Sequence, residues 1–137
     1  MTSRRVPCVG AVVHDDRGRL LLVRRGTEPG RGLWSVPGGR VEPGETGPQA
    51  TAREVQEETG LRVVVGELVG RVERAGPGGV TYVIDDFRAV PAAGFDPAVL
   101  TAGDDADEAR WFTVPELADL ECVEGLLDAL RSWSVIP

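Results

Sequence analysis

The chain has 137 residues, 42% hydrophobic and 27% charged, a balance that fits one globular domain over residues 1–137 and not a disordered segment. Its 22 acids outnumber its 15 bases, and the formal net charge of −7 excludes non-specific binding to nucleic acid or to an anionic membrane surface. No apolar run approaches the ~18–20 residues of a membrane span.

The short apolar stretch behind Met1–Arg5 is interrupted at His14-Asp15-Asp16. It does not read as a secretory leader, so the expected setting is cytoplasmic and reducing. Cys8 and Cys122 lie near opposite ends without metal-ligand spacing, and are expected as free thiols. All 15 bases are arginine. Schiff-base chemistry and a Walker-type phosphate loop are therefore excluded, and any phosphate clamp must use planar guanidinium groups.

In chain order, Val6–Val13 and Leu20–Val23 are apolar runs separated by the turn Asp15-Asp16-Arg17-Gly18, and read as a β-hairpin. His14 falls at that turn and reads as solvated. Gly26–Gly32 is a loop, Leu33–Val36 is a short apolar run, and Pro37-Gly38-Gly39 reads as a chain break. The best helix follows. Thr46 and Gln49 form a capping box, Pro48 falls in the first turn, and Gly60 stops the helix after Thr59. Ala52, Val55 and Thr59 are its expected packing face.

Leu61–Arg74 reads as a strand, residues 75–79 as a turn, Val80–Val90 as a strand and Pro91–Asp107 as a loop. Glu108–Phe112 reads as a strand. Glu124–Trp133 reads as a last helix, with Val123, Leu126, Leu127 and Leu130 on one face. Strands interleaved with two helices make an α/β domain, a mixed β-sheet sandwiched between α-helices.

On the first helix, Glu54, Glu57 and Glu58 stand at i, i+3 and i+4, one above another. Like charges at this spacing cost roughly 0.2–0.5 kcal/mol per pair, and no cation on the same arc obviously offsets them. The cluster suits a hard divalent cation such as Mg²⁺ or Mn²⁺. The surrounding pattern is longer. Gly39 is followed by Glu45, and then by Arg53-Glu54-Val55-Gln56-Glu57-Glu58-Thr59-Gly60-Leu61, which is G-x5-E-x7-R-E-U-x-E-E-x-G-U with U aliphatic.

In these residues, 39–61, the sequence resembles the Nudix hydrolases. The resemblance implies the α/β/α Nudix fold and Mg²⁺-dependent hydrolysis of a nucleoside diphosphate linked to another moiety. It implies that Glu57 and Glu58 are principal metal ligands. Glu54 would bind metal or deprotonate the attacking water, and Arg53 would orient a motif glutamate. Glu45 would support the metal shell, and Gly39 would let backbone approach the metal. Relatives supply a further ligand or base from the loop before the last strand, where Asp105 and Glu108 are the candidates. The general base thus stays open between Glu54 and these two.

Arg24, Arg25 and Arg40 are the candidate phosphate contacts. Trp34, Phe87 and Trp111 could stack on a base or belong to the core. Pro77, 16 residues beyond Leu61, resembles the ADP-ribose-cleaving subgroup, so ADP-ribose leads, giving AMP and ribose 5-phosphate. A (d)NTP such as 8-oxo-dGTP is second, followed by a non-catalytic nucleotide sensor and an isomerase on the same fold. By analogy with dimeric relatives, Leu61–Val72 is the strand that would join a homodimer interface.

Overall fold

The computed structural model describes residues 4–137; Met1 to Ser3, where the leader reading begins, lie outside the described residues. Seven strands and three helices follow one another: β1 (Arg5–Val13), β2 (Leu20–Arg25), β3 (Trp34–Ser35), β4 (Gly38–Arg40), α1 (Gly47–Thr59), β5 (Val63–Ala75), β6 (Thr81–Pro91), β7 (Ala106–Phe112), α2 (Val114–Leu117) and α3 (Leu126–Ser132). They form a four-stranded sheet in the order β4-β1-β6-β5 and a three-stranded sheet in the order β3-β2-β7. The first sheet is mixed, because β1 runs parallel to β6 while its other pairs are antiparallel.

The expected hairpin is not formed. Past the turn, only His14 and Leu20 bridge the two runs. Both edges of β1 are taken, by β4 and β6, so β2 pairs instead with β3 and β7. Asp15 holds the turn by accepting the Arg17 and Arg19 N–H groups at 3.0 and 2.8 Å and Arg19 Nε at 2.7 Å. His14 is half-buried, not solvated, and burial lowers its pKa. The break expected at Pro37-Gly38-Gly39 is instead the start of β4. A side chain on Gly38 would collide with the Val9 carbonyl, so only glycine lets this strand lie against β1.

Two cores result. Ala11, Val13, Leu21, Val55, Leu61, Ala89 and Trp111 join α1 to one side of the strands. Val12, Leu20, Leu22, Trp34 and Phe112 meet Leu117, Leu126 and Leu130 of α2 and α3 on the other. The expected α/β/α layering holds, and the strands between the helices are split into two sheets. β2 serves both cores, which explains its unbroken apolar run.

The capping box of Thr46 and Gln49 and the left-handed Gly60 bound α1 as its sequence requires. The buried face is Ala50, Thr51, Val55 and Thr59, while Ala52 is only partly buried. Thr51 and Thr59 enter the core because their hydroxyls donate to the Gly47 and Val55 carbonyls at 2.8 and 2.7 Å.

The last helix is shorter than expected, and the single turn α2, capped by Thr113 and Glu116, precedes it unforeseen. The aromatics are structural where they are seen. Trp34 packs edge-on against Phe112, Trp111 donates to the Pro97 carbonyl at 2.7 Å, and Phe87 fills the space a Gly47 side chain would need. No helix of the described residues is long and apolar enough to cross a membrane. Both cysteines are free.

Two glycines of β5 differ in what they face. A methyl group on Gly70 would strike the Trp133 indole, whereas one on Gly66 would meet only the Arg88 carbonyl, at 3.5 Å. Gly70→Ala is therefore expected to lower unfolding free energy by about 1–3 kcal/mol, the usual cost of overpacking. Gly66→Ala should change it far less. Urea melts of the two variants check the contrast.

Candidate active site

One arginine organises the motif. Arg53 lies on α1, and its guanidinium donates Nε to Glu45 Oε2 at 2.7 Å and NH2 to Glu45 Oε1 at 2.9 Å. NH2 also reaches the Arg40 carbonyl at 3.0 Å, and NH1 reaches Glu54 Oε1 at 3.0 Å and Glu57 Oε2 at 3.1 Å. The sequence showed no obvious cation to offset the glutamate face, but Arg53 bends across it and meets two of the three acids. These contacts raise its pKa above the ordinary guanidinium value, the Glu45 hydrogen bonds first among them. They also hold Glu45 below the usual carboxylate range. Glu45 has both oxygens committed to Arg53 and also accepts the Glu42 N–H at 2.8 Å.

Glu58 is set apart from this network. It points away from Arg53 and accepts the Gly38 N–H at 3.3 Å. Burial, and then the nearby Glu54 carboxylate, push its pKa up to about 8. Glu54 is raised in the same direction, again mainly by burial, and Arg53 partly opposes the shift. A side chain on Gly39 would fall 2.5–2.8 Å from the Glu54 carboxylate, so glycine keeps that carboxylate's place open.

Glu54 and Glu58 line a cavity of about 330 Å³ with Arg25, Gly38, Gly39, Arg40 and Asp105, among others. Backbone hydrogen bonds bring the loop acid there. The Thr101 and Gly103 N–H groups cap the Thr59 and Glu58 carbonyls at 2.8 and 3.0 Å, using acceptors that the end of α1 leaves unpaired. The Gly26 N–H then donates to the Asp105 carbonyl at 3.0 Å, fixing Asp105 beside the end of β2.

The remaining expected residues divide. Arg25 and Arg40 face the cavity, while Arg24 lies 3.8 Å from Glu108, and Glu108 also pairs with Arg110. Neither Arg24 nor Glu108 lines the cavity, because side chains alternate along β2: Val23 and Arg25 face it, and Arg24, paired with Glu108, lies between them. Glu57 is exposed and held by Arg53.

Sequence reading missed Ser35, Val36 and Gly38 as cavity residues. Outside the cavity, it also missed that Asp86 is buried, at 5% exposure, and that burial raises its pKa to about 7. Its signal was available. Two consecutive acids within a strand, Asp85-Asp86, must point to opposite faces, so one of them faces inward.

Among the described residues, no three His, Cys, Asp or Glu side chains already form a group able to hold a metal ion. The chemistry of the donors nonetheless suits a hard cation. All are oxygens, and Glu58 is raised both by burial and by the neighbouring Glu54 carboxylate.

The comparisons agree with this geometry. The model of the NUDIX domain matches residues 4–131, and the chain belongs to the Nudix family of pyrophosphohydrolases. It is 38% identical over 129 residues to a MutT-like protein of Streptomyces ambofaciens, covering 91% of this chain and 76% of that one. It is 36% identical over 112 residues to the ADP-ribose pyrophosphatase of Methanocaldococcus jannaschii, covering 82% of this chain and 64% of that one. Several other relatives are matched over less than two thirds of their length. The MutT protein of Methanosarcina mazei superposes with a TM-score of 0.81 at 25% identity, over 98% of this chain and 96% of that one.

Replacing Arg53 by Lys keeps the charge but loses the planar fork that serves Glu45. Arg53→Lys is expected to cost about 1.5–3 kcal/mol, the worth of a hydrogen bond to a charged group, as read by chemical denaturation.

A second expectation concerns pH. Glu58 has its pKa raised from 4.5 to about 8, so the folded form retains a proton that the unfolded chain releases within that window. Stability of the metal-free protein should therefore fall as pH rises from about 4.5 to 8. Asp86 acts in the same sense between 3.8 and about 7. His14, with its pKa lowered, opposes them as pH rises towards 6.5. Melting temperature in chelator, followed across this range, should decline less steeply in Glu58→Gln than in the parent. Parallel curves would refute the assignment to Glu58.

Proposed function

We propose that the protein hydrolyses the pyrophosphate bond of a nucleoside diphosphate linked to another moiety, using Mg²⁺ or Mn²⁺. The observation that carries this reading is the pair of half-buried carboxylates, Glu54 and Glu58, in one cavity with Arg25 and Arg40. The acids suit divalent cations, and the guanidinium groups suit phosphate oxygens.

Glu58 and Glu54 would hold the cation, with Glu57 reaching it if its exposed side chain leaves Arg53. A bound divalent cation would neutralise phosphate charge and acidify a coordinated water. Glu54, with its basicity raised by burial, would accept a proton from the attacking water, and Asp105, which also lines the cavity, is the other candidate base. Arg53 acts on Glu54 as a positioning residue. Glu45 fixes Arg53, so it supports the site through that arginine. Arg25 and Arg40 would bind the substrate phosphates and hold the anhydride against the carboxylates.

ADP-ribose is the leading substrate, supported by the archaeal ADP-ribose pyrophosphatase relative. A (d)NTP is the second reading, supported by relatives named as a CTP pyrophosphohydrolase of Escherichia coli and a putative 8-oxo-dGTP diphosphatase of Bacillus subtilis. The products separate the two: AMP with ribose 5-phosphate, or a nucleoside monophosphate with pyrophosphate.

A product screen with Mg²⁺ over ADP-ribose, NADH, dinucleoside polyphosphates, dNTPs and 8-oxo-dGTP decides between them by kcat/KM. Turnover should vanish in chelator. Glu58→Gln and Glu57→Gln should each lower kcat/KM by more than about 100-fold, beyond the loss expected for a merely supporting residue. Metal-dependent turnover that survives both substitutions would overturn the metal assignment. Tight nucleotide binding without turnover would point to a sensor.

A further inference from the structure

Arg40 lines the cavity from β4, and its backbone is anchored on both sides. Its carbonyl accepts Arg53 NH2 at 3.0 Å, and the next N–H, of Val41, donates to the Pro7 carbonyl at 3.1 Å. An arginine fixed only at its backbone still turns about several side-chain bonds, and loses that freedom when it grips a ligand.

This side chain is restrained in advance. Arg40 pairs with Cys8 of β1, and Tyr82 of β6 pairs with Val6, two residues along, so both project from one face of the sheet. The guanidinium reaches across β1, its carbon 5.6 Å from the centre of the Tyr82 ring, and NH2 donates to the Tyr82 hydroxyl at 3.3 Å. The partner is an uncharged phenol, whereas Arg24 and Arg53 face carboxylates. Ring and hydroxyl therefore orient Arg40 without neutralising it, and the guanidinium keeps further N–H donors for an anion.

Tyr82 is held in turn. A side chain on Gly76 would begin 2.5 Å from Cε2 of the ring, so the ring lies against bare backbone. The Gly76 N–H donates to the Val80 carbonyl at 2.7 Å and closes the turn that carries Pro77. Gly76 has φ −115° and ψ −177°, extended backbone open to any residue, so its lack of a side chain serves the ring and not the turn. Support runs from this turn through Tyr82 to Arg40, and neither the turn nor Tyr82 lines the cavity.

We propose that Tyr82 is a positioning residue for substrate binding, holding the Arg40 guanidinium ready for a phosphate oxygen. Arg40 binds the substrate phosphates in the proposed pyrophosphohydrolase reading, on which this inference rests. Tyr82 acts through Arg40 alone, by ordering it before the nucleotide arrives, so its contribution falls on binding and not on the chemical step.

The test is a double-substitution cycle on the nucleotide that the Mg²⁺ screen shows to be turned over. Tyr82→Leu should raise KM about three- to tenfold and leave kcat within about twofold, since the ligand must then order one long side chain itself. A merely structural loss would lower the folded fraction, and so kcat, at unchanged KM. Tyr82→Phe keeps the ring and should recover most of the parent KM. Tyr82→Leu added to Arg40→Leu should change KM no further, because the group it positions is gone. Gly76→Ala displaces the ring without removing it and should raise KM in the same sense, which keeps the test decisive should Tyr82→Leu not fold. Parent KM in both Tyr82→Leu and Gly76→Ala overturns the proposal. An equal rise with and without the Arg40 guanidinium also overturns it.

Equilibrium binding of ADP-ribose and 8-oxo-dGTP with Mg²⁺ gives a second readout. If they bind without turnover and the same coupling to Arg40 is found in Kd, the hydrolase reading falls and positioning by Tyr82 stands. If turnover is intact and the two substitutions are additive, positioning falls and the hydrolase reading stands. If no nucleotide is bound or turned over, both fall.

Discussion

The site depends on a single guanidinium. Arg53 ties the loop acid Glu45, the helix acids Glu54 and Glu57 and the Arg40 backbone into one network, so the β4–α1 connection and the face of the helix cannot move independently. Five short hydrogen bonds from one planar group define more geometry than five separate ion pairs would, because the fork fixes their relative directions. Glu58, which Arg53 does not reach, is left facing the Glu54 carboxylate without that offset.

That difference divides the motif acids by environment. Glu45 is held ionised by its arginine, Glu57 is paired but solvated, and Glu54 and Glu58 are forced towards their neutral forms by burial. Carboxylates separated in basicity in this way can take different roles in one reaction. The net charge of −7 has a local expression here. Part of the acidity faces a cavity that also presents two arginines.

Glycines set the other boundary of the site. Gly39 leaves the place of the Glu54 carboxylate open, Gly38 brings β4 against β1, and Gly103 lets the last loop lie on the Glu57 carbonyl. Each is a close approach of backbone to another group, where even a methyl would intrude. Gly39 could be recognised as a motif position, but the other two acquire meaning only from the partner strand or helix.

The α1 helix was legible in the sequence to its ends, because capping box, proline and terminal glycine all act within a few residues. The order of the motif acids on one face followed from helical periodicity, and the layered α/β class followed from interleaved elements. The hairpin was misread because strand pairing is decided by competition for edges. β4 and β6 occupy both sides of β1, and nothing local to residues 6–25 reveals that. Likewise, Asp105 was separated from Glu108, and Arg25 from Arg24, only in the folded chain. Adjacent residues on a strand face opposite ways, and only the tertiary packing decides which way faces the site. The sequence by itself determined the chemistry available, a helix face of carboxylates served by arginine alone. The tertiary structure decided which of those groups lost water, and hence which were pushed towards their neutral forms.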